Sequence, residues 1–176
     1  MQTTKALIAA ISVLLAFQAV PLQAQNEDDP LFRQPATFTT LITTPRAIEG
    51  LTGDNNENLY TAGSGSPPCP IWQVNLRRPS LTVVGNVPAA LTDACTFRGV
   101  ARDAAGNLYV SDQTVGRIYS VAPNAAAPPD ATIFVSGVPG TNGLAFDRTG
   151  NLWTSDGSTG LGKSRVRAPT VPLQTW

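Results

Sequence analysis

The chain has 176 residues, with 12 basic and 12 acidic side chains, 15 Gly, 15 Pro, two Cys and no His. Balanced charge gives no indication of nucleic acid or an anionic membrane as partner. The missing His removes Ser-His-Asp and Cys-His catalysis and most zinc chemistry.

Residues 1–24 read as a signal peptide. Lys5 supplies a positive start, Ala6 to Phe17 is an apolar run too short to span a bilayer, and Leu22-Gln23-Ala24 offers a cleavage site. An uncleaved anchor is the competing reading, and Gln18 and Pro21 interrupt it. Cleavage would start the mature chain near Gln25 and make it periplasmic or secreted. Without Lys5 there are 11 basic against 12 acidic side chains, a net charge of −1. Residues 25–36 form a polar, acidic leader containing Pro30 and Pro35.

Residues 37–162 are expected to form propeller blades. Thr37 to Thr43 alternates as a strand and leads into the first of three related stretches. These are Glu49 to Gly63, Arg98 to Asp112 and Asn142 to Asp156. In each, a Gly precedes the Asn of Asn-Leu-aromatic by eight residues: Gly50 and Asn58, Gly99 and Asn107, Gly143 and Asn151. Each copy reads as strand, Asp-containing turn and alternating strand, the pattern of a β-hairpin. The Asn residues recur at intervals of 49 and 44, a period suited to four-stranded propeller blades.

Further strands fall between the copies. Gly63 to Pro70 is a loop, followed by strands at Ile71 to Leu76 and Ser80 to Gly85. Unit two repeats the order with strands at Arg117 to Val121 and Ala131 to Ser136, separated by an Ala/Pro-rich loop, Ala122 to Asp130. No segment after the signal peptide has the apolar period of an amphipathic helix. The predicted fold is therefore all-β: about three blades of an incomplete propeller. Residues 163–176, with Pro169 and Pro172, are expected to be an irregular tail of a truncated or frame-shifted chain. Open blade edges would favour self-association.

Cys69 and Cys95 are expected to form a disulfide in an oxidising compartment. With no His, two Cys cannot supply a four-ligand N/S zinc site. Gly157 to Ser164 matches the phosphate-loop pattern, but the prolines that follow oppose the helix such a loop needs, so it reads as a blade loop. Asp54, Asn56 and Asn58 hint at a calcium loop but lack the EF-hand Gly and Glu. Along with Asp103, Asn107, Asp147 and Asn151, they read as turn formers.

The residues before the repeated glycines are Glu49, Arg98 and Asn142. A propeller brings such positions together near one axis. A carboxylate and an amide oxygen there would be suitable Ca²⁺ ligands, or could simply satisfy backbone groups in a tight turn.

Glu49-Gly50, together with blades of the form Asn142-Gly-Leu-Ala-Phe-Asp-x-x-Gly-Asn-Leu-Trp, resembles the gluconolactonase and senescence-marker-protein (regucalcin-like) family of six-bladed propellers. NHL-repeat proteins have similar blades. The resemblance covers residues 37 to about 162. It implies an exported, metal-dependent hydrolase that opens sugar lactones, with a divalent metal, Ca²⁺, in the central channel. Glu49 and Asn142 would be metal ligands, and Arg98 either a contact to a substrate oxygen or a positive charge that competes with a metal. An Asp ligand and base would lie in a blade beyond these three. The alternative expectation is a non-catalytic NHL-like propeller that binds a ligand or protein partner.

Overall fold

The three hairpins each seed an antiparallel sheet in which strands follow one another edge to edge. In a computed structural model of the chain, residues 37–157 are described, together with the backbone of residues 163–166. The first sheet has the order β1 (Thr52–Gly53), β2 (Asn58–Ala62), β3 (Cys69–Asn75) and β4 (Ser80–Val87). The second repeats it with β5 (Phe97–Arg102), β6 (Leu108–Asp112), β7 (Arg117–Val121) and β8 (Thr132–Ser136). The third contains β9 (Thr141–Phe146), β10 (Leu152–Asp156) and β11 (Lys163–Val166). Described residues contain no helix, so the all-β expectation holds. The sheets are blades 1, 2 and 3.

Alternation along the strands divides their side chains between two interfaces. From β6, Leu108 and Val110 enter a core with Tyr60, Ile71 and Val84 of blade 1. Tyr109, one residue out of phase, joins Phe134, Leu144, Phe146 and Leu152 in the core with blade 3. A blade cannot bury both faces alone, so adjacent blades are stacked by apolar burial.

The repeated glycines mark where the innermost strands meet. A Cβ on Gly50 would run into the Arg98 carbonyl oxygen and lie 2.7 Å from the Val100 nitrogen. One on Gly99 would strike the Asn142 carbonyl oxygen and lie 2.6 Å from the Leu144 nitrogen. These positions therefore carry Gly to admit the next blade's backbone. The Cys69–Cys95 disulfide forms as expected, with 6.5 Å between Cα atoms. It ties β3 of blade 1 to the segment entering β5, reinforced by backbone bonds in both directions between Gly65 and Cys95.

Three expectations change. Thr37 to Thr43 alternates like a strand but is not one, and Phe38 is 94% exposed. A strand requires a hydrogen-bonded neighbour, and among the described residues no sheet edge pairs with this segment. Residues 163–166, expected to begin an irregular tail, instead form β11, with Leu152↔Val166 and Ser155↔Lys163 in register with β10. The prolines that oppose a strand come later, so they leave these four positions free to pair. The Gly63 to Pro70 loop is shorter than expected, because β3 starts at Cys69 and includes Pro70. The signal peptide, the leader and residues 158–162 and 167–176 lie outside the described residues.

Candidate functional site

The hairpin turns account for most of the repeated letters. Asp103 Oδ1 accepts from the Asn107 backbone N–H at 2.8 Å, while Oδ2 accepts from Asn107 Nδ2 at 2.9 Å and the Tyr109 hydroxyl at 3.1 Å. Asp54 is bonded in the same way by Asn58 and Tyr60. Asp147 is bonded by Asn151 and by the Trp153 indole N–H at 2.9 Å. The turn-former reading is thus correct for these aspartates. The sequence reading did not assign a role to the aromatic two places beyond Asn, yet all three carry a donor, and a Phe would not serve.

These bonds stabilise the charged carboxylates. At Asp54, burial pushes the pKa up, but Asn58, Asn56 and Tyr60 together outweigh it and bring it to about 2. Asp103 is lowered by the same balance of burial against donors from Asn107 and Tyr109. Asp147 is lowered chiefly by the Asn151 side chain, then by Trp153. Tyr109 responds in the opposite direction, pushed up to about 12 by burial and the Asp103 charge.

A second constellation lies where the inner strands begin. Arg98 donates from Nη1 to the Glu49 carboxylate and from Nε to Gln113 Oε1 at 2.9 Å. Gln113 and Asn142 then converge over Gly157, where a Cβ would lie 2.7 Å from Gln113 Nε2 and 2.6 Å from Asn142 Nδ2. The fold therefore brings Glu49, Arg98 and Asn142 to one face spanning three blades, with Gln113 as an unforeseen link. Its signal was positional: Ser64, Gln113 and Gly157 each stand one residue beyond a repeat copy. The Glu49 and Arg98 side chains remain 45% and 34% exposed, so the pair is open to a ligand.

As arranged, these residues do not fit a divalent cation. Ca²⁺ requires several oxygen ligands, and Glu49, the carboxylate of the row, is already neutralised by a guanidinium. Among the described residues no group of three His, Cys, Asp or Glu is suited to a metal. The phosphate-loop match gains no helix: Lys163 and Ser164 belong to β11, while its residues 158–162 lie outside the described residues.

Asp112, at the end of β6, is fully buried, and its Oδ2 has no hydrogen-bond partner. Burial pushes its pKa up against backbone donors from Thr96, Val115 and Thr114 and the Arg117 charge.

No family model and no curated protein matches the chain. Among solved structures, one similar chain belongs to the crystal structure of a nidogen/laminin complex, with a TM-score of 0.51 and 17% sequence identity. The match covers 66% of this chain and 42% of that one, so this chain spans less than half the length of its structural neighbour. At that identity the likeness concerns fold alone. With the sheet order and inter-blade packing, it supports a propeller-like, all-β blade architecture.

Proposed function

We propose that the chain is a non-catalytic propeller module that binds a polar, hydroxyl-rich small molecule, such as a sugar-like ligand, across the Glu49–Arg98–Gln113–Asn142 row. The observation that carries this reading is Arg98 bonded to both Glu49 and Gln113. A guanidinium fixed from two sides is a preorganised donor, and the partly exposed Glu49 carboxylate beside it is an acceptor for hydroxyls. A row of this kind recognises alternating donors and acceptors without a metal.

Opening of a sugar lactone is the second reading, favoured by the convergence of Glu49, Arg98 and Asn142. In that reading Glu49 and Asn142 hold Ca²⁺, which supplies Lewis-acid polarisation when bound. Arg98 must then release Glu49. A thermal melt of the exported chain with excess Ca²⁺ and with chelator separates the two, because a ligand of the native state raises its stability by mass action. The binding reading expects equal melting temperatures and no lactone hydrolysis. A Ca²⁺-dependent rise that Glu49→Gln removes would overturn it in favour of the hydrolase.

A further inference from the structure

The gap between neighbouring blades at the hairpin-turn end occurs twice and is occupied differently each time. Between blades 1 and 2 the chain supplies its own cation. Arg102, the last residue of β5, lies over the Gly106 turn, where a Cβ would be 3.0 Å from its Nη2. Its Nε is buried without a hydrogen-bond partner, and its charge bears on the Tyr60 hydroxyl of blade 1. This gap therefore holds a guanidinium close to a Tyr whose hydroxyl is bonded to a turn aspartate.

Between blades 2 and 3 the position of Arg102 is taken by Phe146. The β8 residue Phe134 stands where β4 has Val84, by the register of each outer strand with its neighbour. Tyr109 meets Phe134 and Phe146 edge-on, with centroids 4.9 and 5.0 Å away. These rings, with Asp103 and Asp147, wall a cleft of 400 Å³ that Arg148 also lines. Asp147 is saturated, with five donors on its two oxygens. The Asp103 carboxylate accepts three bonds, two at Oδ2 and one at Oδ1, and also feels the Gly106 backbone N–H, fewer donors than Asp147 takes. Aromatic faces and an ionised carboxylate together favour a cation with a flat, weakly hydrated head.

We propose that the cleft between blades 2 and 3 binds a small organic cation of the guanidinium or amidinium class. The cation is seated against Tyr109, Phe134 and Phe146 and paired with Asp103, at the level where the Arg102 guanidinium lies near Tyr60 between blades 1 and 2. This site is separate from the inner-strand row, and either can fail without the other. Arg148, exposed at the cleft, opposes the ligand's charge.

The test is an amide NMR titration of the full chain with benzamidine and with its neutral counterpart benzamide. Saturating shifts at Gly106 and Gly150 are expected, with benzamidine about ten-fold tighter than benzamide. Phe146→Arg should abolish the response by filling the cleft as Arg102 does. Phe134→Val, which restores the blade 1 residue type, should weaken it, and Arg148→Ala should strengthen it. Equal affinity for the two probes, no saturating shift in the native chain, or undiminished binding in Phe134→Val would overturn the proposal.

Discussion

Glu57 has a φ of 61° and stands where the other two turns have Gly106 and Gly150, at 96° and 81°. A side chain there costs about 1 kcal/mol relative to Gly, and its exposed ion pair with Arg77 contributes little in return. Glu57→Gly should therefore stabilise the fold, read as a higher urea midpoint at unchanged slope. Asp103→Ala should cost about 1–2 kcal/mol at neutral pH, because it leaves the Asn107 backbone N–H and the Tyr109 hydroxyl without their acceptor. The turn aspartates also set the acid limit. Asp54, with its folded pKa near 2 against a reference of 3.8, contributes stability that is complete above about pH 4 and lost as pH falls toward 2. Asp103 and Asp147 act with the same sign. Asp112 acts with the opposite sign, since its raised pKa makes its ionisation unfavourable to folding as pH rises. Melting temperatures between pH 6 and 2 should fall toward acid, with a shallower fall in Asp54→Asn.

Among the elements, the inner strands test whether the repeated glycines are a packing requirement. Gly99→Ala forces a methyl group into the backbone of β9 and should cost about 3 kcal/mol or more. Gly143, though equivalent in sequence, has among the described residues only the Ser155 hydroxyl within reach, at 3.2 Å. Gly143→Ala should be mild. Equal losses in urea melts would show that the glycines serve local backbone conformation and not the approach of the next blade. The Cys69–Cys95 bridge closes a loop with sequence separation 26 and contributes about 3.5 kcal/mol on the chain-entropy estimate. Reduction, or paired Ser substitutions, should lower stability by that order.

For the whole molecule, stability depends on stacking blades. Blade 2 is covered on both faces, by the core that includes Ile71 and Val84 on one side and by Leu144, Phe146 and Leu152 on the other. Trp153 of blade 3, the counterpart of Tyr109, is 38% exposed, and Leu51 of blade 1, the counterpart of Val100, is 56% exposed. Such outward apolar positions support the self-association expected from the sequence, and we propose it as a concentration-dependent property. Sedimentation should show mass rising with concentration, and Trp153→Lys should reduce the rise.

The repeat letters, their eight-residue spacing and the paired cysteines were sufficient to place hairpins, blades and the disulfide, because these depend on local turn chemistry and a strict period. Glu49, Arg98 and Asn142 were legible as one group for the same reason: equivalent repeat positions must stack. Their pairing was not legible. A Glu can meet a metal or an Arg, and only the tertiary structure decides that Arg98 reaches Glu49 of the neighbouring blade while bonding Gln113 of its own. Thr37 to Thr43 has the alternation of a strand but lacks a described edge to join, while Lys163 to Val166 lacks the expected pattern and pairs because β10 presents an open edge. Local sequence determines what a segment can become. The neighbours that tertiary structure supplies determine whether its backbone and charges find partners.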